Sequence, residues 1–319
     1  MATQNRSIVT IGNFDGVHRG HAALIHRARA LAEPLGARVV AVTFDPHPAA
    51  ILRPGSAPQP LTDFDRRAEL LRSLGVDDVV RLQATPELLA RSPAEFVADV
   101  VKQLHPAAFV EGPDFRFGNG RRGTLDTLRS LGSVHGFTVE VVGPIEVVLA
   151  DLTIVRASSS LARWLLAHGR VADAAAVLGR WHEIRATVER GDQRGRTIGF
   201  PTANLRTDSP LPGDGVYAAW ATLPGGIRRP AALSVGVKPT FSGRARVAEA
   251  HLLNHDHAGL PEYGWPISIE LVAWVRDQVR FGSSAELVAQ LARDCHRVRL
   301  LLDTPFPAAS PRQQLEGAC

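Results

Sequence analysis

The sequence predicts an α/β protein in two parts: a doubly wound parallel sheet in the N-terminal half, then a small antiparallel β-barrel with a C-terminal helix. Three observations lead there. The chain has 319 residues, a length that favours two domains at roughly 100 to 200 residues each. Its first half alternates short β-branched runs with helical patterns, the mark of βαβ units around a parallel sheet. After Trp181 the texture changes to strand-like pieces separated by Gly, Pro and Asp turns, as in a small barrel.

Taken in order, Ser7 to Ile11 reads as the first strand, His21 to Ala32 as a helix and Arg38 to Phe44 as the second strand. Helical patterns follow over Asp65 to Leu74, Pro93 to Gln103 and Leu125 to Leu131, with strands at Ala107 to Glu111 and Thr138 to Val142. Right-handed crossovers put the loops after these strands along one edge, where open α/β sheets bind ligands. Function is therefore expected at Gly12, Asp45 and Gly112. Ser158 to Gly179 reads as two short apolar helices broken near His168-Gly169. The barrel candidates are His182 to Arg190, Gly215 to Leu223, Arg229 to Val237, Arg246 to Leu253 and Ile267 to Trp274, and a final helix spans Ser284 to Leu302. The expected domains are residues 1–180, residues 181–303 and a disordered tail at 304–319 rich in proline.

Composition narrows the class. Hydrophobic residues make up 45% and charged residues 21%, which disfavours disorder, collagen-like repeats and membrane bundles. The net charge of +4 is small, and the sequence pI near 9.6 reflects a basic complement that is almost all arginine, Lys102 and Lys238 being the only lysines. Neither half is a basic module, so no nucleic-acid partner is expected. The two cysteines, Cys295 and Cys319, supply neither a disulfide framework nor a zinc cluster, which fits a reducing compartment. No apolar run approaches the ~18 residues of a membrane span, and no signal peptide opens the chain. A cytoplasmic protein without a membrane partner is expected; self-association is not readable.

Gly12-Asn13-Phe14-Asp15-Gly16-Val17-His18-Arg19-Gly20-His21 follows the first strand and opens the first helix. Helix N-terminal amides attract phosphate, and glycines let the backbone approach it. His18 and His21, three residues apart at the helix start, project to one side, where their N–H groups can grip nucleotide phosphates. A zinc pair or two surface histidines is the plain alternative, but zinc needs a third and usually a fourth ligand, and none stands at recognisable spacing.

The H-x-G-H pattern after G-N-F-D resembles the adenylyltransferase superfamily of small-substrate nucleotidyltransferases. Thr43-Phe44-Asp45-Pro46-His47-Pro48, Glu111-Gly112-Pro113-Asp114-Phe115-Arg116-Phe117-Gly118 and Arg156-Ala157-Ser158-Ser159-Ser160-Leu161-Ala162-Arg163 narrow the resemblance to the bacterial bifunctional riboflavin kinase/FAD synthetase family. Singly, Pro-His-Pro reads as a rigid turn and the serines as a helix N-cap; together and in order they resemble that family. For the first half the resemblance implies a nucleotidyltransferase-like domain that transfers AMP from ATP to FMN, giving FAD and pyrophosphate. On it, His18 and His21 are the catalytic donors. Gly12, Asn13, Phe14, Asp15, Gly20, Ser158, Ser159, Ser160 and Arg163 hold ATP, while Asp114, Phe115, Phe117 and Arg156 face the flavin. Leu161 and Ala162 depart from the family, which often has a polar or basic residue and an isoleucine there.

In the second half, Gly191-Asp192-Gln193-Arg194-Gly195-Arg196-Thr197-Ile198-Gly199-Phe200-Pro201-Thr202-Ala203-Asn204-Leu205 contains a Pro-Thr-Ala-Asn run that resembles the riboflavin kinase signature. Thr202 and Asn204 offer hard oxygens suited to Mg²⁺ held chiefly by the phosphates of ATP, and Gly191, Gly195 and Gly199 would form a phosphate cover. Gly215-Val216-Tyr217, Gly236 to Phe241, Glu249-Ala250-His251-Leu252 and Trp274 to Phe281 follow the family in order. Glu249 lies mid-strand in an apolar run, a costly place for a carboxylate unless it is paired or working. On the family pattern it is the general base for riboflavin phosphorylation to FMN, and Arg276 lies on the flavin side. The plain alternatives are a solvent-facing strand residue and a surface arginine. A monofunctional kinase or synthetase with one decayed site, a cytidylyltransferase and a non-catalytic flavin-binding or flavin-sensing protein are the competing readings. Intact His18, His21, Thr202, Asn204 and Glu249 weigh against the last, because binding alone does not need phosphate-handling groups.

Overall fold

The computed structural model describes residues 6–191, 194–240, 243–253 and 261–303. Asp192, Gln193, Phe241 and the expected tail at 304–319 lie outside the described residues. The chain divides into two compact units, residues 1–146 and 147–319.

In the first unit, β1 (Ser7–Gly12), α1 (Arg19–Ala32), β2 (Arg38–Phe44), α2 (Pro48–Leu52), α3 (Phe64–Ser73), β3 (Asp78–Leu82), α4 (Pro86–Ala90), α5 (Pro93–Leu104), β4 (Pro106–Glu111), α6 (Leu125–His135) and β5 (Thr138–Val141) follow one another. The strands form one sheet in the order β3-β2-β1-β4-β5, and each neighbouring pair is parallel. The alternation of side chains along β1 puts Ile8 into one core with Ile25, Ala41 and Leu71, and Val9 into another with Val40, Phe96 and Phe109. Both sheet faces are thus covered, which is the doubly wound arrangement the sequence predicted. Local signals set the helix ends: Ser92 and Glu95 form a capping box on α5 with Pro93 in its first turn, and Thr124 caps α6.

The strand β6 (Glu146–Val148) pairs with β7 (Ile154–Arg156). In the second unit α7 (Ser159–Ala167) and α8 (Val171–Leu178) are parted at Gly169, which takes φ 72°. Then come β8 (His182–Glu189), α9 (Arg194–Thr197), β9 (Ala203–Arg206), β10 (Gly215–Thr222), β11 (Arg228–Thr240), β12 (Gly243–Leu252), β13 (Pro266–Arg276) and α10 (Ser284–Leu302). The strands close into a barrel in the order β10-β11-β12-β9-β8-β13, antiparallel at every pairing. Ile184, Tyr217, Leu233, Ala250 and Ile269 are fully buried. α10 lays Cys295 and Val298 against Ala218 and Leu253, and α8 packs on β8 and β13. Residues 147–178, read from sequence with the first domain, therefore pack within the second unit. Among the described residues no helix is long and apolar enough to cross a membrane.

Candidate active sites

In the first unit the chain leaves β1 at Gly12 and turns into α1 through a strained loop. Phe14 and Val17 have positive φ, 46° and 40°, a region costly for bulky side chains. Burial holds them there, at 1% and 3% exposure, and Val17 N–H bonds the Phe14 carbonyl at 3.0 Å. Asp15 accepts the Leu61 and Thr62 N–H groups at 2.8 and 3.2 Å. Thr43 Oγ1 donates to the Asn13 carbonyl at 3.1 Å, so the loop is tied to the end of β2 and to the segment before α3.

His18 caps α1. Its Nδ1 accepts the Gly20 N–H at 3.1 Å, and the His21 Nδ1 accepts the His18 N–H at 3.3 Å. A backbone N–H can only donate, so both neutral rings carry their proton on Nε2. The rings stack at 3.6 Å between centroids, with His18 buried at 8% exposure. The first turn of α1 has no acidic residue and holds Arg19 beside the two histidines, an arrangement opposed to the helix dipole that a bound anion would relieve. Burial lowers the Arg19 pKa from its ordinary value.

Beside this loop lies a group that the sequence reading did not single out. Arg67 on α3, 4% exposed, donates to Thr43 Oγ1, the Phe44 carbonyl and the Thr62 carbonyl at 3.2, 2.9 and 3.3 Å, and stands 4.0 Å from Asp45, which also pairs with Arg81. Desolvation lowers the Arg67 pKa, opposed by Asp15, Asp45 and Asp63. Its spacing from Leu70 and Leu71 at i+3 and i+4 was the available signal. His47 accepts the Ala49 N–H on Nδ1 at 3.0 Å, and its Nε2 is 2.9 Å from the Asn13 amide.

After β4, Asp114 is exposed and Phe115 half-buried. Phe115 stacks on Phe117 with centroids 5.3 Å apart, while Phe117 itself is 6% exposed in the core beside Phe96. Arg156, at the end of β7, is exposed. Ser158 caps α7 by accepting the Leu161 N–H at 3.2 Å, with Ser159, Ser160 and Arg163 on that helix. Ala162 is fully buried, so part of the departure from the family falls on the packed side of α7.

Among the described residues of the barrel unit lie two adjoining cavities of about 330 Å³ each. One is lined by Glu189, Gly191, Arg196, Glu262 and Tyr263. The other is lined by the polar residues Ser234, Glu249, His251 and Gln278 and by the apolar residues Val279, Phe281, Leu287 and Leu291. Gly195, Thr202 and Asn204 line both. The ladder explains the clustering: Glu249 on β12 lies opposite Asn204 on β9 and Ser234 on β11, so the three form one cross-strand row. Close packing explains two of the glycines. A Cβ on Gly191 would sit 1.8 Å from Asn204 Nδ2, and one on Gly195 would sit 2.3 Å from the Phe200 carbonyl. Gly199 takes φ 80°. Arg276 lines the second cavity with its guanidinium already engaged, Nε and Nη2 reaching Asp294 at 3.0 and 2.7 Å.

Among the described residues no three His, Cys, Asp or Glu side chains cluster as a metal cage. The donors at the cavity junction are instead a hydroxyl and a carboxamide oxygen, which suit a hard divalent cation that takes its remaining ligands from phosphate and water.

Residues 1–154 match the sequence model of the FAD synthetase family and residues 178–302 that of the riboflavin kinase family. A protein of Escherichia coli (strain K12) named bifunctional riboflavin kinase/FMN adenylyltransferase is 35% identical over 301 residues, 92% of each chain. One of the same name from Bacillus subtilis (strain 168) is 31% identical over 295 residues, 91% of each. The crystal structure of a protein from Streptococcus pneumoniae described as a macrolide-efflux protein superposes with a TM-score of 0.84 at 29% identity, covering 94% of this chain and 95% of that one.

Proposed function

The chain belongs to the bifunctional riboflavin kinase/FMN adenylyltransferase family, and on that premise we propose how its residues divide the two reactions. It phosphorylates riboflavin with ATP to FMN, then adenylylates FMN with ATP to FAD and pyrophosphate. We assign the second reaction to residues 1–180 and the first to 181–303.

The observation that carries the kinase assignment is the sharing of Gly195, Thr202 and Asn204 by two cavities, only one of which Glu249 lines. The polar cavity takes the nucleotide and the half-apolar one takes riboflavin, so the γ-phosphate and the flavin hydroxyl meet at the junction. Glu249 removes the proton from the ribityl 5′-hydroxyl as that oxygen bonds to the γ-phosphorus and the bond to ADP breaks. Gly191, Gly195 and Gly199 cover the phosphates. Arg276, paired with Asp294, braces the flavin wall. Both families use ATP with a divalent metal, and we take the metal to be Mg²⁺, held by Thr202 and Asn204. When bound it neutralises phosphate charge.

In the adenylyltransferase, an FMN phosphate oxygen attacks the ATP α-phosphate and pyrophosphate leaves, with no covalent enzyme intermediate. The protein's task is alignment and charge stabilisation. His18 and His21 donate from Nε2, and Gly12, Asn13, Phe14, Asp15 and Gly20 shape the phosphate loop. Phe115 and Asp114 contact the flavin, and Phe117 supports Phe115 from the core. By the family resemblance alone, Ser158, Ser159, Ser160 and Arg163 are further phosphate ligands and Arg156 a further flavin contact. We assign the enzyme to the cytoplasm, consistent with its cysteine usage.

The test is a time course. Purified full-length protein with riboflavin, ATP and Mg²⁺ should form FMN first and FAD after it. If FMN forms without FAD, or FAD forms only from added FMN, one of the two sites is idle.

A further inference from the structure

The antiparallel register of β9 against β12 runs Leu205 to Ala248, Asn204 to Glu249 and Ala203 to Ala250. Continued, it brings Thr202 opposite His251 and Pro201 opposite Leu252. Pro201 has no N–H to donate to such a ladder, and the paired register ends at Ala203. A side chain takes over: His251 Nδ1 lies 2.8 Å from the Pro201 carbonyl. A carbonyl can only accept, so Nδ1 carries a proton, the opposite protonation pattern to the neutral His18 and His21 rings. The His251 ring also packs against Phe200, centroids 5.3 Å apart. Being two residues apart on one strand, His251 and Glu249 point to the same face, and both line the same cavity.

We propose that His251 is a positioning residue for the kinase: its Nδ1–H fixes the peptide that leads into Thr202 relative to Glu249, so one rigid strand sets both the base and the metal-nucleotide ligand. This rests on the reading of Thr202 as such a ligand. The claim concerns a hydrogen bond and not ring packing, and two substitutions separate them. His251→Phe keeps a ring against Phe200 and loses the donor. His251→Asn loses the ring and restores an N–H near the Nδ1 position.

Two readouts on the full chain test it. In histidine-labelled protein, the ¹⁵N resonances should show Nδ1 of His251 protonated, in contrast to Nδ1 of His18 and His21. In calorimetric titration with Mg-ADP, the kinase sites are the class weakened by Thr202→Ala. His251→Phe should weaken that same class about 10-fold, the scale of one lost hydrogen bond, and leave the other class unchanged. In turnover its KM for Mg-ATP in FMN formation should rise more than kcat falls. His251→Asn should recover most of the loss.

If Thr202→Ala weakens a class and His251→Phe does not, the inference is wrong and the ligand reading stands. Equal defects in His251→Phe and His251→Asn also overturn it, because ring packing then explains the effect. If Thr202→Ala changes neither class, the ligand reading falls and takes the inference with it.

Discussion

Glu111 and Ile11 are joined where their strands part. The last paired residues of β1 and β4 are Val9 and Phe109, and beyond them the Glu111 carboxyl accepts the Ile11 N–H at 2.8 Å. This is the point where strand order reverses direction across the sheet, the place where open α/β sheets form their ligand crevice. A side chain replaces the ladder there, so β1 can carry the Gly12 loop away from β4 without leaving a buried N–H unpaired.

Glu111 is 1% exposed, and burial raises its pKa well above the carboxylate range, with the Ile11 N–H pulling weakly the other way. The folded state therefore keeps a proton that the unfolded state loses near pH 4.5. Stability conferred below that pH is lost as pH rises toward the folded value, at up to about 1.4 kcal/mol per pH unit. Glu111→Gln keeps the acceptor and removes the titration. Thermal unfolding from pH 5 to 8 should fall more steeply for the wild type than for the variant, and parallel profiles would contradict the assignment.

His18→Ala or His21→Ala should reduce FAD formation from FMN by about 10²-fold or more, the cost of losing a positioned donor. FMN formation from riboflavin should continue at the wild-type rate. The check is to assay each reaction separately on folded protein; equal loss of both would mean one shared site.

Asn204→Ala and Glu249→Gln should differ in kind. The first weakens a metal-nucleotide ligand, so added Mg²⁺ should partly restore FMN formation. The second keeps size and hydrogen bonding without basicity, so kcat should drop roughly 10² to 10⁴-fold with riboflavin still bound and no rescue by Mg²⁺. Steady-state kinetics across Mg²⁺ concentrations decide between base and ligand.

Arg67 ties Thr43, Phe44 and Thr62 together beneath the Gly12 loop. Arg67→Met should destabilise the first unit by about 3 kcal/mol, since buried acceptors lose a charged donor. Arg67→Lys should recover only part of this, because an ammonium lacks the fork that reaches several acceptors at once. Denaturant unfolding measures both.

A fragment of residues 147–303 should fold cooperatively and phosphorylate riboflavin, whereas one starting at Arg180 should be markedly less stable. The shorter piece loses Ala174, Val177 and Leu178, buried at 0%, 0% and 3% exposure, and the bond from Gly213 N–H to the Leu166 carbonyl. Equal stability of the two fragments would show that α7 and α8 contribute nothing to the barrel.

What was legible followed from periodicity. The apolar runs at Gly215 to Leu223 and at Arg38 to Phe44 were visible because burial imposes them. β3 was overlooked: at the sheet edge none of Asp78–Leu82 is fully buried, and Asp78 and Arg81 interrupt its short apolar run. β9, only Ala203–Arg206, is held by its neighbours and not by its own propensity. The first helix was expected from His21, yet the His18 ring caps it and it starts at Arg19; histidine is not an ordinary N-cap, so this boundary carries no sequence signal. Helical texture in residues 158–178 says nothing of which sheet the helices cover. Of the site, the motif residues were readable, whereas Arg67 looked like one more surface arginine and His251 had a place in a motif but no role, because what each does depends on carbonyls far away in sequence.

The junction formed by Gly195, Thr202 and Asn204 has a thermodynamic consequence. On the assignment proposed above, a nucleotide in one cavity and a flavin in the other would settle against the same three residues, so neither would meet a wall independent of the other's presence. Whatever factor the nucleotide imposes on the affinity for flavin, the flavin must impose on the affinity for nucleotide.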